Sequence, residues 1–258
     1  MENEISDNAP ISTKWLLDSV GEIGRNTIQS VFMIICLTTG FKGTGFLHKS
    51  GNIITNYHVV KGVGSDEVTA ISSAGQQIRF SNIVPDQNRD LAILKPIQEL
   101  KGGLDIDLNG AVAPGIQVST WGFPLGYNGP PPLLTVGYVS GFIERNGTKH
   151  IVVNGAFNPG NSGGPLFISG DNKIVGVVVS KHAPITPYVQ SAMNALANNA
   201  SGFVYSGTDE KGKAIHMSEA QVVAKVLEYF RSMTQVVIGE AIDKAELITF
   251  LKKNGIEP

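Results

Sequence analysis

Short apolar runs rich in β-branched residues recur along most of this chain, and turn-forming residues separate them. Nine such runs lie between positions 30 and 180, with hairpin signals between them at Ser50–Asn52, Asn146–Gly147 and Gly170–Asn172. The 30 glycines and 13 prolines among 258 residues agree with an architecture that contains many turns. Strands that are this short and this regular favour sandwiches or closed barrels.

Helical patterns occupy the N-terminal segment and the last third of the chain. A short helix is expected from Ser12, as its N-cap, to about Gly24. Ser218 and Gln221 form a capping box that predicts the start of another helix. A final helix is expected to begin after Asp243 and to stop at Gly255.

Composition and charge argue against several classes of protein. The net charge is −2 and no cluster of lysine and arginine occurs, so neither a nucleic-acid nor a membrane partner is expected. The longest apolar run, Val31–Leu37, is shorter than the roughly 20 residues that span a bilayer, and no secretory signal begins the sequence. Cys36 is the single cysteine, which excludes an internal disulfide. We therefore expect a cytoplasmic protein.

The first candidate for chemistry is a serine surrounded by glycines. The segment 158–166 reads NPGNSGGPL and carries Ser162 at its centre. Glycine is used where the backbone adopts unusual dihedral angles or approaches another group closely. The segment is therefore either a structural turn or a site where backbone N–H groups point at a reacting atom.

An activated serine needs a neighbouring base and a third group that orients the base. Among five histidines, His58 stands out because TNYHVV directly follows the apolar run NIIT, which places it at a strand end. Asp90 begins the segment DLAILK, where a lone acid precedes an apolar strand. Such a carboxylate is either a cap or is held by a hydrogen bond. Each signal is weak alone, and it is their combination that favours catalysis.

These segments resemble the motifs of trypsin-like serine proteases of chymotrypsin fold, and within them the HtrA-like branch. The family's TNxHV pattern matches 55–59, its DxxxDLAxLK pattern matches 86–95, and NPGNSGGPL stands unchanged at 158–166. GTGF at 43–46 and GFPLG at 122–126 agree as well. The resemblance covers about 30–180 well, continues weakly to about 230, and keeps the order His, Asp, Ser.

The resemblance implies a mainly β fold of two six-stranded antiparallel β-barrels, chymotrypsin-like, with additional C-terminal helices. We expect an N-terminal segment with a short helix at 1–28 and a first barrel at 29–110. The second barrel is expected at 111–217, with a helical insertion at 184–200 and Gly202–Ser206 as its final strand. The C-terminal helices are expected at 218–258.

The resemblance also implies the roles of the site residues. Ser162 would be the nucleophile, His58 the general base and Asp90 the residue that orients the imidazole. The oxyanion hole would come from the nucleophile loop, residues Gly160, Asn161 and Ser162. No metal and no organic cofactor is implied, and the substrate would be a protein or peptide.

The specificity pocket is predicted from the same resemblance. Ala156, six residues before the nucleophile, would lie at its base and carries no charge to select lysine or arginine. The full set of expected pocket residues is Ala156, Phe157, Val178, Val179 and Ser180. Cleavage after small or medium apolar P1 residues follows from these side chains.

Other interpretations of the sequence stay open. A catalytically silent binding or scaffold module would keep the same fold, and an esterase acting on small molecules would use the same triad. Only 28 residues follow Phe230, fewer than the roughly 50 that a domain needs, so the PDZ domain usual in the HtrA-like branch is not expected. Assembly into a homo-oligomer is left open.

Overall fold

The structure is a computed structural model that describes residues 9–179, 187–208, 212–233 and 238–258. Fourteen strands and five α-helices lie within these ranges. The strands are β1 (Val31–Cys36), β2 (Lys42–Leu47), β3 (Ile53–Thr55), β4 (Val68–Ser72), β5 (Gln77–Asp86), β6 (Leu91–Pro96), β7 (Gln117–Gly122), β8 (Leu133–Arg145), β9 (Thr148–Asn154), β10 (Pro165–Ile168), β11 (Ile174–Val179), β12 (Val204–Thr208), β13 (Ala214–Ser218) and β14 (Ile238–Asp243). The helices are α1 (Ile11–Ser19), α2 (Glu22–Gln29), α3 (Pro187–Asn198), α4 (Glu219–Met233) and α5 (Lys244–Lys253).

The first six strands close into an antiparallel barrel in the order β1-β2-β3-β6-β5-β4. Its interior is filled by branched and aromatic side chains that alternate along the strands, among them Phe32, Ile34, Ile53, Ile78 and Leu94. Burial of each such side chain contributes about 1.5–3 kcal/mol. Because β3 and β6 are neighbours in this barrel, the residues that follow β3 and those that precede β6 meet at one rim.

A second closed antiparallel barrel has the order β10-β11-β14-β9-β8-β7. The mainly β architecture of two six-stranded barrels with C-terminal helices is thus confirmed. The prediction of Gly202–Ser206 as the last barrel strand is wrong, because β14 takes that place between β11 and β9. The segment of β12 pairs instead with β13 in a separate two-stranded sheet and is exposed throughout.

Two acidic side chains explain why β14 does not resemble a core strand in sequence. Glu240 and Asp243 are buried within it. Arg145 on β8 makes a bidentate ion pair with Glu240 at 2.6 and 2.8 Å. Asp243 pairs with Lys149 and accepts the N–H of Ala245, so it also caps α5. Buried charges need such partners, and no one-dimensional pattern reveals them.

A third cluster of buried side chains joins the two barrels to each other and to α5. Phe46, Ile54 and Leu91 of the first barrel meet Phe167 and Val177 of the second. Leu247, Phe250 and Leu251 of α5 pack into the same cluster. The predicted final helix is confirmed, and its role is to cover this junction.

Residues 182–236 form a compact unit of their own, distinct from the unit that contains residues 1–181 and 237–258. This smaller unit holds α3, α4 and the β12–β13 sheet. The capping box that begins α4 is confirmed: Gln221 Oε1 accepts the Ser218 N–H at 2.9 Å, and Ser218 Oγ accepts the Gln221 N–H at 3.3 Å. The expected insertion at 184–200 is too short, since α4 and the β12–β13 sheet belong to the inserted unit as well.

The N-terminal helix of the prediction is two helices. α1 begins after Pro10, not at Ser12, and the chain becomes extended at Val20 before α2 starts. Trp15 on α1 is 67% exposed. Among the described residues, no helix has both the length and the apolar character needed to cross a membrane.

One buried histidine of the first barrel predicts a pH dependence of stability. His48 is fully buried, and its Nδ1 accepts the N–H of Ser50. Desolvation, with a smaller contribution from Lys49 that outweighs Asp105, lowers the pKa of His48 to about 4. The unfolded chain takes up this proton near pH 6.5, whereas the folded chain resists it until about pH 4.

The contribution of His48 to stability is therefore complete above pH 6.5 and is lost as the pH falls from 6.5 through 4. The expected loss is up to about 3 kcal/mol of unfolding free energy. Urea unfolding of wild type and His48→Asn between pH 4 and 8 measures it, with the exposed His216→Asn as the control. A His48→Asn variant with the wild-type pH profile would show that His48 does not set this dependence.

Candidate active site

His58 lies in a single 3-10 turn, Tyr57–Val59, directly after β3. The turn is anchored by Val59, which is buried in the first barrel, and by Asn56, which is fully buried. The imidazole between these anchors keeps a third of its side-chain surface exposed. A polar ring is thus held at the barrel rim by neighbours that are part of the core.

Asp90 contacts His58 at two points. Its Oδ2 lies 2.7 Å from His58 Nδ1, and its Oδ1 accepts the His58 backbone N–H at 2.9 Å. An ionised carboxylate only accepts hydrogen bonds, so the imidazole proton is on Nδ1 and Nε2 is the basic nitrogen. This is the geometry that prepares a histidine to take a proton from a hydroxyl.

The backbone of Asp90 is held in an unusual conformation by the residues just before His58. Its φ of +56° is in the left-handed region that a residue with a side chain rarely adopts. The Asp90 carbonyl accepts the N–H of Tyr57 at 3.1 Å and the side-chain amide of Asn56 at 3.0 Å. These bonds offset the strain and place the carboxylate beside His58.

An ion-pair network ties the loop before Asp90 to the second barrel and α5. The guanidinium of Arg89 bridges Asp86 and Glu246, both at 3.0 Å. Thr148 Oγ1, at the start of β9, donates to the carbonyl of Asn88 at 3.3 Å. The position of the Asp90 loop therefore depends on contacts that are distant in sequence.

Ser162 lies on the loop between β9 and β10, and the glycine after it docks this loop against the first barrel. A β-carbon on Gly163, whose φ is +87°, would lie 2.1 Å from the Thr44 carbonyl and 2.3 Å from Thr55 Oγ1. Thr55 is three residues before His58, and the Thr44 N–H donates to the Ser162 carbonyl at 2.8 Å. The nucleophile candidate therefore belongs to the same rim of the first barrel as His58.

The backbone N–H groups of Gly160 and Asn161 in this loop differ in their hydrogen bonding. Gly160, at φ +96°, packs so closely on Phe123 that a β-carbon would lie 2.3 Å from the Phe123 carbonyl. Within the described residues, the Gly160 N–H has no hydrogen-bond acceptor. The Asn161 N–H donates to the Asn158 carbonyl at 3.0 Å. The inclusion of Asn161 among the oxyanion donors is corrected by this contact, because its N–H is already engaged.

Of the five expected pocket residues, three belong to buried hydrophobic clusters. Phe157 and Val178 are buried inside the second barrel, so neither lines an open cleft. A β-carbon on Gly239 would lie 2.4 Å from Phe157 Cδ2, so the ring occupies the space left by that glycine. Ala156 is half-buried and Val179 is buried at the junction of the barrels, while Ser180 lies outside the described residues.

Thr44 is the residue that sequence reasoning missed. It is fully buried on β2 and bonds to the nucleophile loop through both its backbone and its hydroxyl. Its position in GTGF, between glycines and just before the histidine segment, was the available signal. As for metals, no group of three or more histidine, cysteine, aspartate or glutamate side chains is placed to hold one among the described residues.

Comparison with known proteins finds relatives that are named as proteases. The chain is 32% identical over 155 residues to "Protease Do-like 1, chloroplastic" of Arabidopsis thaliana, covering 55% of this chain and 34% of the relative. It is 33% identical over 140 residues to a "Probable periplasmic serine endoprotease DegP-like" of Hahella chejuensis, covering 52% and 29%. The chain thus spans about a third of these relatives' lengths. Their names give no support to the cytoplasmic location expected from the sequence.

Solved structures support the fold. The HtrA-type protease AlgW, solved with a tripeptide, superposes with a TM-score of 0.58 at 17% identity, over 91% of this chain and 64% of that one. At that identity the similarity shows the fold alone. The family model described as "Trypsin-like peptidase domain" matches residues 43–177, slightly more than half of the chain and all three motifs. The chain therefore belongs to the trypsin-like peptidase domain family, with HtrA- and DegP-type proteins among its relatives.

Proposed function

We propose that this chain is a serine endopeptidase in which Ser162, His58 and Asp90 form the catalytic triad. The observation that carries the proposal is the two-point contact of Asp90 with His58, at 2.7 and 2.9 Å. It assigns the proton to Nδ1 and leaves Nε2 basic. The docking of Gly163 against Thr55 supports the placement of Ser162 at the same rim.

The chemistry follows from these roles. Ser162 Oγ attacks the scissile carbonyl while His58 Nε2 takes the hydroxyl proton. Asp90 stabilises the resulting imidazolium, which then gives its proton to the leaving amine. A water molecule, activated in turn by His58, releases the acyl group from Ser162. The reaction balances without a metal or an organic cofactor.

The developing oxyanion needs donors that are oriented before the reaction begins. The Gly160 N–H is one donor, and the Ser162 N–H is the second that the family resemblance implies. Donors of this type are each worth about 2.7–4 kcal/mol of transition-state stabilisation. Two features of Gly160 support this role. Its φ is positive, and a side chain there would collide with the Phe123 carbonyl, so only glycine fits this close approach of the loop.

Cleavage after small or medium apolar residues is the specificity that we propose. Ala156 provides no charge at the expected base of the pocket. A cationic P1 side chain would therefore lose its hydration without gaining a partner.

A peptide library with mass-spectrometric detection of the cleaved products tests both the activity and the specificity. Wild type is expected to cleave after residues such as alanine, valine and leucine, and Ser162→Ala is expected to be inert. Ala156→Asp should shift the preference towards lysine and arginine by at least tenfold in kcat/KM. A dominant wild-type preference for lysine or arginine would refute the proposed specificity.

A further inference from the structure

Thr44 connects the first barrel to the nucleophile loop through its side chain. Its hydroxyl donates to the carbonyl of Gly160 at 2.7 Å and accepts the N–H of Phe123 at 3.1 Å. A threonine hydroxyl has one proton to give and lone pairs to receive, so both bonds are satisfied together. Thr44 is fully buried and has no surface through which to touch a substrate.

The bond to Gly160 fixes the peptide plane on one side of that residue. The carbonyl of the Gly160–Asn161 peptide is held by Thr44, and its N–H donates to the Asn158 carbonyl at 3.0 Å. A peptide unit is planar, so hydrogen bonds at both of its edges define the orientation of the plane. This plane is followed by the Asn161–Ser162 peptide, which carries the Ser162 N–H.

The bond to Phe123 acts on the plane on the other side of Gly160. Leu125, two residues after Phe123, donates its N–H to the Pro159 carbonyl at 2.7 Å. In a trans peptide the N–H points opposite to the carbonyl, so this bond aims the Gly160 N–H away from Leu125. The Thr44 hydroxyl therefore bonds one plane beside Gly160 directly, and it bonds the backbone segment whose Leu125 holds the other plane.

We propose that Thr44 is a positioning residue of the active site, whose hydroxyl holds the Gly160 peptide in the orientation that oxyanion stabilisation requires. This inference rests on the proposed function. Gly160, at φ +96°, has no side chain to limit its rotation, so its conformation depends on contacts to its neighbours. Loss of the hydroxyl leaves the Gly160 carbonyl without its donor, so the Gly160–Asn161 peptide is held at one edge only, by the bond from the Asn161 N–H.

Three variants separate the hydroxyl of Thr44 from its shape. Thr44→Val keeps the shape and removes the hydroxyl, and Thr44→Ser keeps the hydroxyl and removes the methyl group. Thr69→Val is the matched control, because Thr69 donates its hydroxyl to the Ile78 carbonyl within the first barrel, away from the nucleophile loop. Every variant of Thr44 keeps the backbone N–H that donates to the Ser162 carbonyl.

Steady-state hydrolysis of an apolar P1 peptide gives the first measurement. Thr44→Val is expected to lower kcat by at least tenfold with KM within about threefold of wild type, because the transition state needs the oxyanion donors more than the bound substrate does. Thr44→Ser and Thr69→Val are expected to stay within about threefold of wild type in both constants.

Inhibition by a peptide aldehyde, whose adduct with the serine carries the oxyanion, gives the second measurement. Its Ki should rise in Thr44→Val by the same factor as kcat/KM falls. Affinity for the uncleaved peptide, measured in Ser162→Ala with and without Thr44→Val, should not change. If Thr44→Val does not fold, Thr44→Cys, whose thiol is a poorer donor, should show the same selective loss.

Three results would overturn the role of Thr44 while leaving the proposed function in place. The first is an active wild type with Thr44→Val equally active, and the second is an equal loss in Thr44→Ser and Thr44→Val. The third is a parallel loss of peptide affinity in the Ser162→Ala background. A wild type that cleaves no peptide would instead contradict the proposed function itself.

Discussion

Replacement of Ser162 or His58 by alanine is expected to lower kcat for peptide hydrolysis by about 10⁴-fold or more, with the double variant little worse than either. The reason is that the serine is a poor nucleophile without the imidazole, and the imidazole has no proton to accept without the serine. Each single substitution therefore removes the whole proton-transfer path. Assays of peptide hydrolysis by wild type and the three variants measure the change in kcat.

The double variant distinguishes a triad from two independent contributions. If Ser162 and His58 act as one unit, the two losses overlap almost completely. Any peptidase activity that remains in a single variant should be compared with that of the double variant. Activity that persists there at the same level does not depend on Ser162. Losses that multiply would argue that the two side chains do not work together.

Gly163→Ala is expected to destabilise the fold by about 3 kcal/mol or more, because two costs coincide. A residue with a side chain pays about 1–2 kcal/mol for φ near +87°. The new β-carbon would in addition lie 2.1 Å from the carbonyl of Thr44, which is backbone and cannot rotate away. The strand or the nucleophile loop must then move, so activity should fall together with stability.

Gly170→Ala is the control that separates these two costs. Gly170 has a φ of +88°, nearly that of Gly163, but a β-carbon there would have no neighbour within 4 Å. Only the conformational cost should appear, about 1–2 kcal/mol in urea unfolding, with full activity. Equal destabilisation by the two substitutions would show that the docking of Gly163 against Thr44 and Thr55 is not tight.

The elements that the sequence predicted well are those in which local pattern and tertiary contact agree. His58 follows an apolar strand, and Asp90 precedes one, so strand periodicity alone placed both at strand ends. The strand order of the barrel makes those ends neighbours. That order could be predicted only from the family resemblance. The pairing of Asp90 with His58 is the geometry that such motifs imply.

The misplaced barrel strand had a physical cause that single-sequence reasoning does not capture. β14 contains Glu240 and Asp243, whose charges lower its apolar character, and both are compensated by basic residues far away in sequence. β12 has a stronger apolar appearance in GFVYS, and yet it is exposed. The apolar pattern of GFVYS, taken together with the strand order that the resemblance implies, therefore favoured the wrong segment.

The specificity pocket shows the same limit at the level of single residues. Phe157, which follows Ala156 in the sequence, was expected among the residues of the specificity pocket. Its ring is instead in the core, in the space that Gly239 leaves vacant. That glycine is 82 positions away, so only the three-dimensional contact reveals where the ring lies.

Reaction with a fluorophosphonate, followed by mass spectrometry of the protein and its peptides, tests whether Ser162 is an activated nucleophile. One adduct is expected per wild-type chain, located on Ser162 within 158–166, and none in Ser162→Ala or in urea-unfolded wild type. His58→Ala should react far more slowly, since the reagent reports nucleophile activation and not mere exposure. A folded wild type that stays unlabelled, or an adduct that persists in Ser162→Ala, would contradict the assignment of Ser162 as an activated nucleophile.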